Sequence, residues 1–292
     1  MMKQLLILLI ISFILSCNGQ EKKDCIPIKG KSQIKIEEIT HYSYIESEPE
    51  RDYIFGEDRI CEYDSKGNLI KESVVLNNNE KDTAIVVSQL FYKNNLLVKN
   101  NRFSALRGGV KNKEWIYEYE NNNKLKKEIF KNIENDKEIL DKTCFYVDYS
   151  YETNKEIQTI FRYDEDSKTF NFSHRVENIL NQNNKVTEEI SIDNENKIYE
   201  KNKLEYNSKN QLVRHSHEGS YSAYEFRYEY DQNGNVTKKT AVSNPDEITL
   251  ITYKYDCNNN WIEKTEENNN ISTDDKSTKE SKTLIKRKIT YY

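Results

Sequence analysis

Proline and glycine are scarce in this chain, three and eight among 292 residues. So few glycines leave little for a loop that cradles phosphate, and no Walker, dinucleotide, HExxH or GxSxG pattern occurs. So little proline, with charged residues at 32%, argues against a low-complexity linker and for an ordered, well-solvated surface. An excess of basic charge is also missing. The formal net charge is −5, with lysines and glutamates interspersed, which is not the footprint of a nucleic-acid partner. The five cysteines, Cys17, Cys25, Cys61, Cys144 and Cys257, lie too far apart and too irregularly for a zinc spacing. No apolar run beyond Leu15 is long enough to span a bilayer.

What is present begins at the N-terminus. Lys3 precedes the eleven residues Leu5–Leu15, apolar except for Ser12, where a hydrocarbon core needs about 20. A charged start, a short apolar stretch and the small Ser16 follow the logic of a secretory signal. Ile14-Leu15-Ser16-Cys17 resembles the bacterial lipobox. That resemblance implies a signal peptide at 1–16, a lipidated Cys17 as first mature residue, and membrane attachment through its acyl chains. Residues 17–24 are polar and read as a flexible tether. Residues 25–292 then form one repetitive antiparallel β domain. In an exported protein its cysteines are open to oxidation, and Cys25, Cys61, Cys144 and Cys257 allow three pairings.

Internal repetition dominates the rest. Glu62-Tyr63-Asp64-Ser65-Lys66-Gly67-Asn68-Leu69 recurs as Glu229-Tyr230-Asp231-Gln232-Asn233-Gly234-Asn235-Val236. Weaker copies start at Tyr92, Tyr119, Tyr151, Leu180, Tyr206 and Tyr255, so that successive starts lie 24 to 32 residues apart. The shared rule is a ring or apolar residue, a polar turn, then an apolar residue six positions on; the Tyr92 copy is one residue shorter. Between turns the chain alternates. Tyr224, Phe226, Tyr228 and Tyr230 fall on one strand face, Glu225, Arg227 and Glu229 on the other. Trp115, Tyr117 and Tyr119 repeat the pattern, as do Phe145, Val147, Tyr149 and Tyr151. Gly67, Gly234 and the turn asparagines are expected to hold positive φ at each reversal. Asp64, Asp231 and Asp256 are expected to cap their own turns. The fold class is therefore all-β: an extended, curled antiparallel sheet of repeated β-hairpins. A helix finds room only within 20–58 or 271–283, and 266–282 reads as a long polar hairpin loop.

The Tyr-Asp-x-x-Gly-Asn-hydrophobic units at 63–69 and 230–236, with degenerate copies at 206–212 and 255–261, resemble the YD repeats of the rearrangement-hotspot family. In that family such hairpins join into a long curled sheet that large members wrap around a toxin. This chain is too short for such a shell. It looks more like small lipoproteins of Bacteroidetes-type bacteria, and the resemblance implies architecture and location without an activity.

No catalytic residue, cofactor or metal ligand is singled out. His215-Ser216-His217 places two imidazoles on one strand face beside Glu218, but a metal needs a third ligand from elsewhere. His41 and His174 are isolated, and Asp164-Glu165-Asp166-Ser167 lacks the spacing of a calcium loop. Asp82-Thr83-Ala84 resembles a short O-glycosylation acceptor. The aromatic rows read first as a hydrophobic core face. Presented outward, they would make a contact surface in which Tyr224, Phe226, Tyr228 and Trp261 are the expected contacts. The sequence points to a cell-envelope lipoprotein, facing periplasm or cell surface, with a non-enzymatic binding or structural role. Its partner would be another envelope protein, a glycan or a lipophilic molecule. An immunity lipoprotein that neutralises a toxin, or an envelope hydrolase, are the competing readings.

Overall fold

A computed structural model describes residues 34–45, 58–78, 81–270 and 279–292. The signal segment, Cys17, the tether and Cys25 lie outside these. The described residues form 19 strands and one turn of 3-10 helix, Ala105–Arg107, with no α-helix among them. The strands open with β1 (Ile34–Ile45), β2 (Asp58–Tyr63), β3 (Leu69–Asn78), β4 (Lys81–Lys93) and β5 (Leu96–Ser104). There follow β6 (Val110–Tyr119), β7 (Leu125–Glu134), β8 (Lys137–Ile139), β9 (Phe145–Glu152) and β10 (Lys155–Asp164). Next come β11 (Thr169–Leu180), β12 (Val186–Asp193), β13 (Ile198–Tyr206), β14 (Leu212–Gly219) and β15 (Ala223–Tyr230). The last are β16 (Val236–Ala241), β17 (Ile248–Tyr255), β18 (Trp261–Asn270) and β19 (Lys279–Tyr291). The polar segment 266–282 is thus a loop only in part, because β18 and β19 carry their pairing to Asn270 and Lys279.

Each strand pairs antiparallel with its neighbour in the chain, β8 and β9 excepted, and β1 pairs with both β2 and β19. The curl therefore closes on itself. The short β8 and β9 both lie along the same side of β7, so 19 strands make 18 staves. Closure removes the two free edges that an open sheet of this length would expose.

The repeat turns cluster at one rim. At Asp64–Asn68 the Gly67 N–H donates to the Asp64 carbonyl at 3.0 Å, and Asp64 N–H to the Asn68 carbonyl at 2.9 Å. Gly67 lies at φ 85° and the register slips by one residue beside Tyr63, a type I turn followed by a left-handed bulge residue. Gly234 (φ 86°), Asn123, Asn184, Asn210 and Asn259 occupy the equivalent place with φ between 57° and 86°. Asp64 Oδ1 accepts from the Lys66 and Asn68 N–H groups, both at 2.9 Å. Asp231, Asp256, Asn181 and Asn207 do the same in their own turns. The Tyr92 unit is shorter because Asn94 and Asn95 both take positive φ, the two-residue turn.

Successive units are stapled by the repeat tyrosines. The Tyr92, Tyr119, Tyr151, Tyr206 and Tyr230 hydroxyls donate to the carbonyls of Leu69, Leu97, Leu125, Val186 and Leu212 at 2.6–3.0 Å. Each acceptor is the apolar residue that ends the preceding unit's turn. In the next unit the role passes to Tyr253, which reaches the Val236 carbonyl at 3.1 Å, while Tyr255 hydrogen-bonds Asp231. Leu180, lacking a hydroxyl, leaves its rung out.

Burial alternates with period two along the turn-proximal halves of β13, β15, β17 and β19, and the more buried residues there share one face. Side chains inside a closed wall converge, so that face is the inner one. It carries the aromatic rows together with Glu37, Ser88, Asn178 and Ser191, all buried. The outer face bears cross-strand ion pairs such as Lys71–Glu62, Lys99–Glu114, Lys155–Glu177 and Lys254–Glu263 at 2.6–2.8 Å. The rings are not a close-packed core. Among the described residues, the fully buried apolar ones are few and small, Val74 and Cys144 foremost. Eighteen staves spaced about 4.8 Å apart give a perimeter of roughly 86 Å, well beyond the eight-stranded barrels that side chains can fill.

The closing seam is polar. Arg287 pairs with the buried Glu37 carboxylate and lies over the Trp261 ring, 4.7 Å from its centroid. Tyr63 donates to Glu37 at 3.1 Å. Cys61, next to this group, is a free buried thiol, pushed up to about 11 by burial and the Glu72 charge. Cys144 is also free, and Cys257 is disulfide-bonded.

Candidate binding site on the inner wall

Hairpin registers bring seven inner residues directly opposite one another, in a single row across seven staves. The row runs Tyr151–Glu156–Asn178–Glu189–Asn202–His217–Tyr224, through β9 to β15. It is polar where a core would be apolar. Asn178 donates to Glu156 Oε1 at 3.1 Å, as Gln158 does at 2.9 Å. Asn202 donates to Glu189 Oε1 at 2.9 Å. That bond fixes the amide's orientation and turns its Oδ1 toward two imidazoles, His215 Nε2 at 3.1 Å and His217 Nδ1 at 3.0 Å. Both rings thus donate to one oxygen, which sets their tautomers.

Tyr224 orders the imidazoles from the other side. It stacks on His217 at 4.7 Å and meets His215 edge-on at 5.5 Å. Phe226 packs against Tyr224 at 5.3 Å, and Lys239 Nζ sits 3.8 Å over the Phe226 ring. His215 is held below its ordinary value, by burial first and then by the neighbouring His217 charge. A Cβ on Gly219 would lie 2.8 Å from His217 Nε2, so a side chain there would push this ring from its place.

Of the four expected contact residues, the structure joins Tyr224 and Phe226 in this cluster and places Tyr228 one strand position further along β15. Trp261 stands apart, on β18 beneath Arg287 at the closing seam. His215 and His217 share a face as their spacing requires. Among the described residues no group of three or more His, Cys, Asp or Glu side chains is placed to hold a metal. Asp164 caps its own turn, accepting from the Asp166 N–H at 2.9 Å. His174 is depressed by burial and by Arg162, and hydrogen-bonds Ser173 at 3.0 Å. Thr83 lies exposed on β4, paired with Leu76; the side chain of His41 is outside the described set.

Sequence reasoning missed Glu156, Asn178, Glu189 and Asn202. Each is an ordinary polar residue in its own strand. Their alignment exists only once the turns fix every register and consecutive hairpins are known to pair in order. A second acidic feature was missed for the same reason. Burial holds Glu128 above its usual value although Tyr149 donates to it at 3.2 Å.

The two rims differ. The repeat-turn rim is Asn-, Asp- and Gly-rich. The opposite rim carries large apolar side chains, Leu106 and Tyr221 fully exposed and Val110, Leu140, Phe172 and Ile198 partly so. A cavity of about 460 Å³ near it is lined by Lys201, Lys203, Ser216, His217, Glu218, Tyr224 and Glu225 among others.

No protein-family model matches the chain, and no curated protein sequence does. Among solved structures it is similar to a porin-like protein from Bacteroides uniformis, at 10% identity over 88% of this chain and 98% of that one, TM-score 0.45. It is also similar to a DUF3836 family protein from Bacteroides vulgatus, at 11% identity over 30% and 88%, TM-score 0.25. A third likeness is to the Photorhabdus luminescens Tc holotoxin pore, at 11% identity over 73% of this chain and 12% of that one, TM-score 0.23.

Proposed function

We propose that this chain is a lipid-anchored protein of the cell envelope, attached through Cys17, whose barrel binds a glycan on its inner wall without transforming it. The observation that carries the reading is the composition of that wall. Rings such as Tyr224, Phe226, Tyr228 and Tyr253 alternate with amides and carboxylates, and no run of ring contacts described crosses more than three of the eighteen staves. A lipophilic ligand would need a continuous apolar lining. A sugar offers an apolar ring face to aromatics and hydroxyls to amides, which suits an interrupted one. The outer face supports a barrel standing in water. Lys99 and Lys201 sit amid β5 and β13, and a lysine facing lipid at mid-depth costs about 2–4 kcal/mol.

The test is a titration of the mature protein with soluble envelope polysaccharide fragments. Saturable binding is expected, weakened at least tenfold by Tyr224→Ala and Phe226→Ala and unchanged by Tyr221→Ala. Absence of binding at millimolar glycan, or loss with Tyr221 instead, would overturn the reading.

A second reading, protein capture as in an immunity lipoprotein, is favoured by the apolar rim. β1 begins at the repeat-turn rim, where Ile34 pairs with Tyr291, and the Leu106–Tyr221 rim lies at the other end of the barrel. A toxin-bound complex disrupted by Leu106→Glu and Tyr221→Glu would support it; a rim that tolerates both without effect on any partner would not.

A further inference from the structure

We infer that the inner-wall row holds a hard divalent cation between Glu156 and Glu189, with the side-chain oxygen of Asn178 as its central donor. Two independent observations meet here. The first is the register: Glu156 and Glu189 stand directly opposite Asn178 on its two sides, on β10 and β12. Cβ atoms of such neighbours lie about 4.5–5.5 Å apart, so both carboxylates can close on one point above the amide.

The second is an orphan. Asn178 is 6% exposed, and its Oδ1 is buried without a hydrogen-bond partner. The amide is not reversed, because its Nδ2 donates to Glu156 Oε1 at 3.1 Å, and exchanging the two atoms would set oxygen against carboxylate. A buried carbonyl oxygen left unpaired costs roughly 1–3 kcal/mol. Its residue is flanked by Glu156 and Glu189 in the register, and neither carboxylate takes part in an ion pair among those described. Gln158 is spent on Glu156 and Asn202 on Glu189, both as donors.

The donor set decides the ion. Two carboxylates and an amide oxygen are hard ligands, which favour Ca²⁺ with its tolerant geometry over Mg²⁺, whose octahedron is strict. Borderline metals would prefer the imidazoles of His215 and His217. Those nitrogens both donate to Asn202 Oδ1, one stave beyond Glu189. The inference does not depend on the glycan reading, since an ion here would bind with no sugar present.

The experiment is calorimetric titration of the mature protein, stripped with chelator, with CaCl₂, MgCl₂ and ZnCl₂ in turn, alongside thermal unfolding with each salt. One Ca²⁺ per chain is expected, with a higher melting temperature in Ca²⁺ than in equal Mg²⁺. Asn178→Ala should weaken Ca²⁺ at least tenfold. Asn178→Asp, which adds a third carboxylate without changing shape, should tighten it. Glu156→Gln should weaken it while the far-UV spectrum stays that of the parent. No Ca²⁺ heat in the wild type overturns the inference. So does Asn178→Asp binding no tighter than wild type, or Zn²⁺ binding in preference to Ca²⁺ and lost with His217→Gln.

Discussion

Replacing the repeat tyrosines by phenylalanine removes a single hydroxyl from each and keeps the ring. Tyr230→Phe deletes the donor to the Leu212 carbonyl, now at 2.6 Å, and leaves that acceptor in a partly buried place. A net intramolecular hydrogen bond contributes about 0.5–1.5 kcal/mol, so the single variant should lose about 1 kcal/mol. Six such rungs are described, from Tyr92, Tyr119, Tyr151, Tyr206, Tyr230 and Tyr253. Most lie a whole hairpin apart, roughly 9–10 Å across two staves, far enough for their effects to add. Together they amount to roughly 3–9 kcal/mol, against a typical total stability of 5–15 kcal/mol. The assay is urea unfolding of each single variant and of the sixfold variant, compared at constant slope. Tyr221→Phe is the control, because that ring is wholly exposed. If Tyr230→Phe moves the midpoint no more than Tyr221→Phe, or the sixfold variant loses under about 2 kcal/mol, the rungs do not hold the units together.

Three further outcomes follow from the geometry. Gly234→Ala should cost about 1 kcal/mol at φ 86°, and Gly234→Asn less, since asparagines occupy that place in sister turns; equal losses by calorimetry would contradict this. Arg287→Ala strands the buried Glu37 carboxylate and should cost about 3–5 kcal/mol, with limited proteolysis near the β1–β19 seam; an unchanged digestion pattern would show that the pair does not guard closure. Alkali should unfold the barrel early. Burial pushes Tyr117 and Tyr253 up to about 12, so the folded state keeps those protons longer than the open chain. Their stabilisation is whole below the ordinary tyrosine value of 10.0 and is lost as pH climbs to about 12. A flat stability across that range would refute it.

Much of this architecture was legible. Asn and Gly at fixed offsets marked the reversals because few other residues tolerate positive φ, and Asp64 and Asp231 capped as their place in the turn required. The face of Tyr224, Phe226 and Tyr228 followed from period two. Closure was not legible, because Glu37 and Arg287 lie 250 positions apart and nothing local marks them as neighbours. Nor was the purpose of the tyrosines: their spacing read as ring burial, whereas the hydroxyl does the joining. The polar row was hidden for a related reason. A strand viewed alone shows Asn178 or Asn202 as an interruption, and only its neighbours turn interruptions into a line.

A ring obeys a different rule of growth from a stack. Adding a hairpin to an open repeat lengthens it and leaves the rest in place. Here a duplicated unit has no end to join, so it must enter the circumference and widen the bore by two staves. Loss of a unit narrows it likewise. Relatives with other numbers of units would therefore differ in the calibre of the passage they enclose, while each rung between neighbours kept its local geometry.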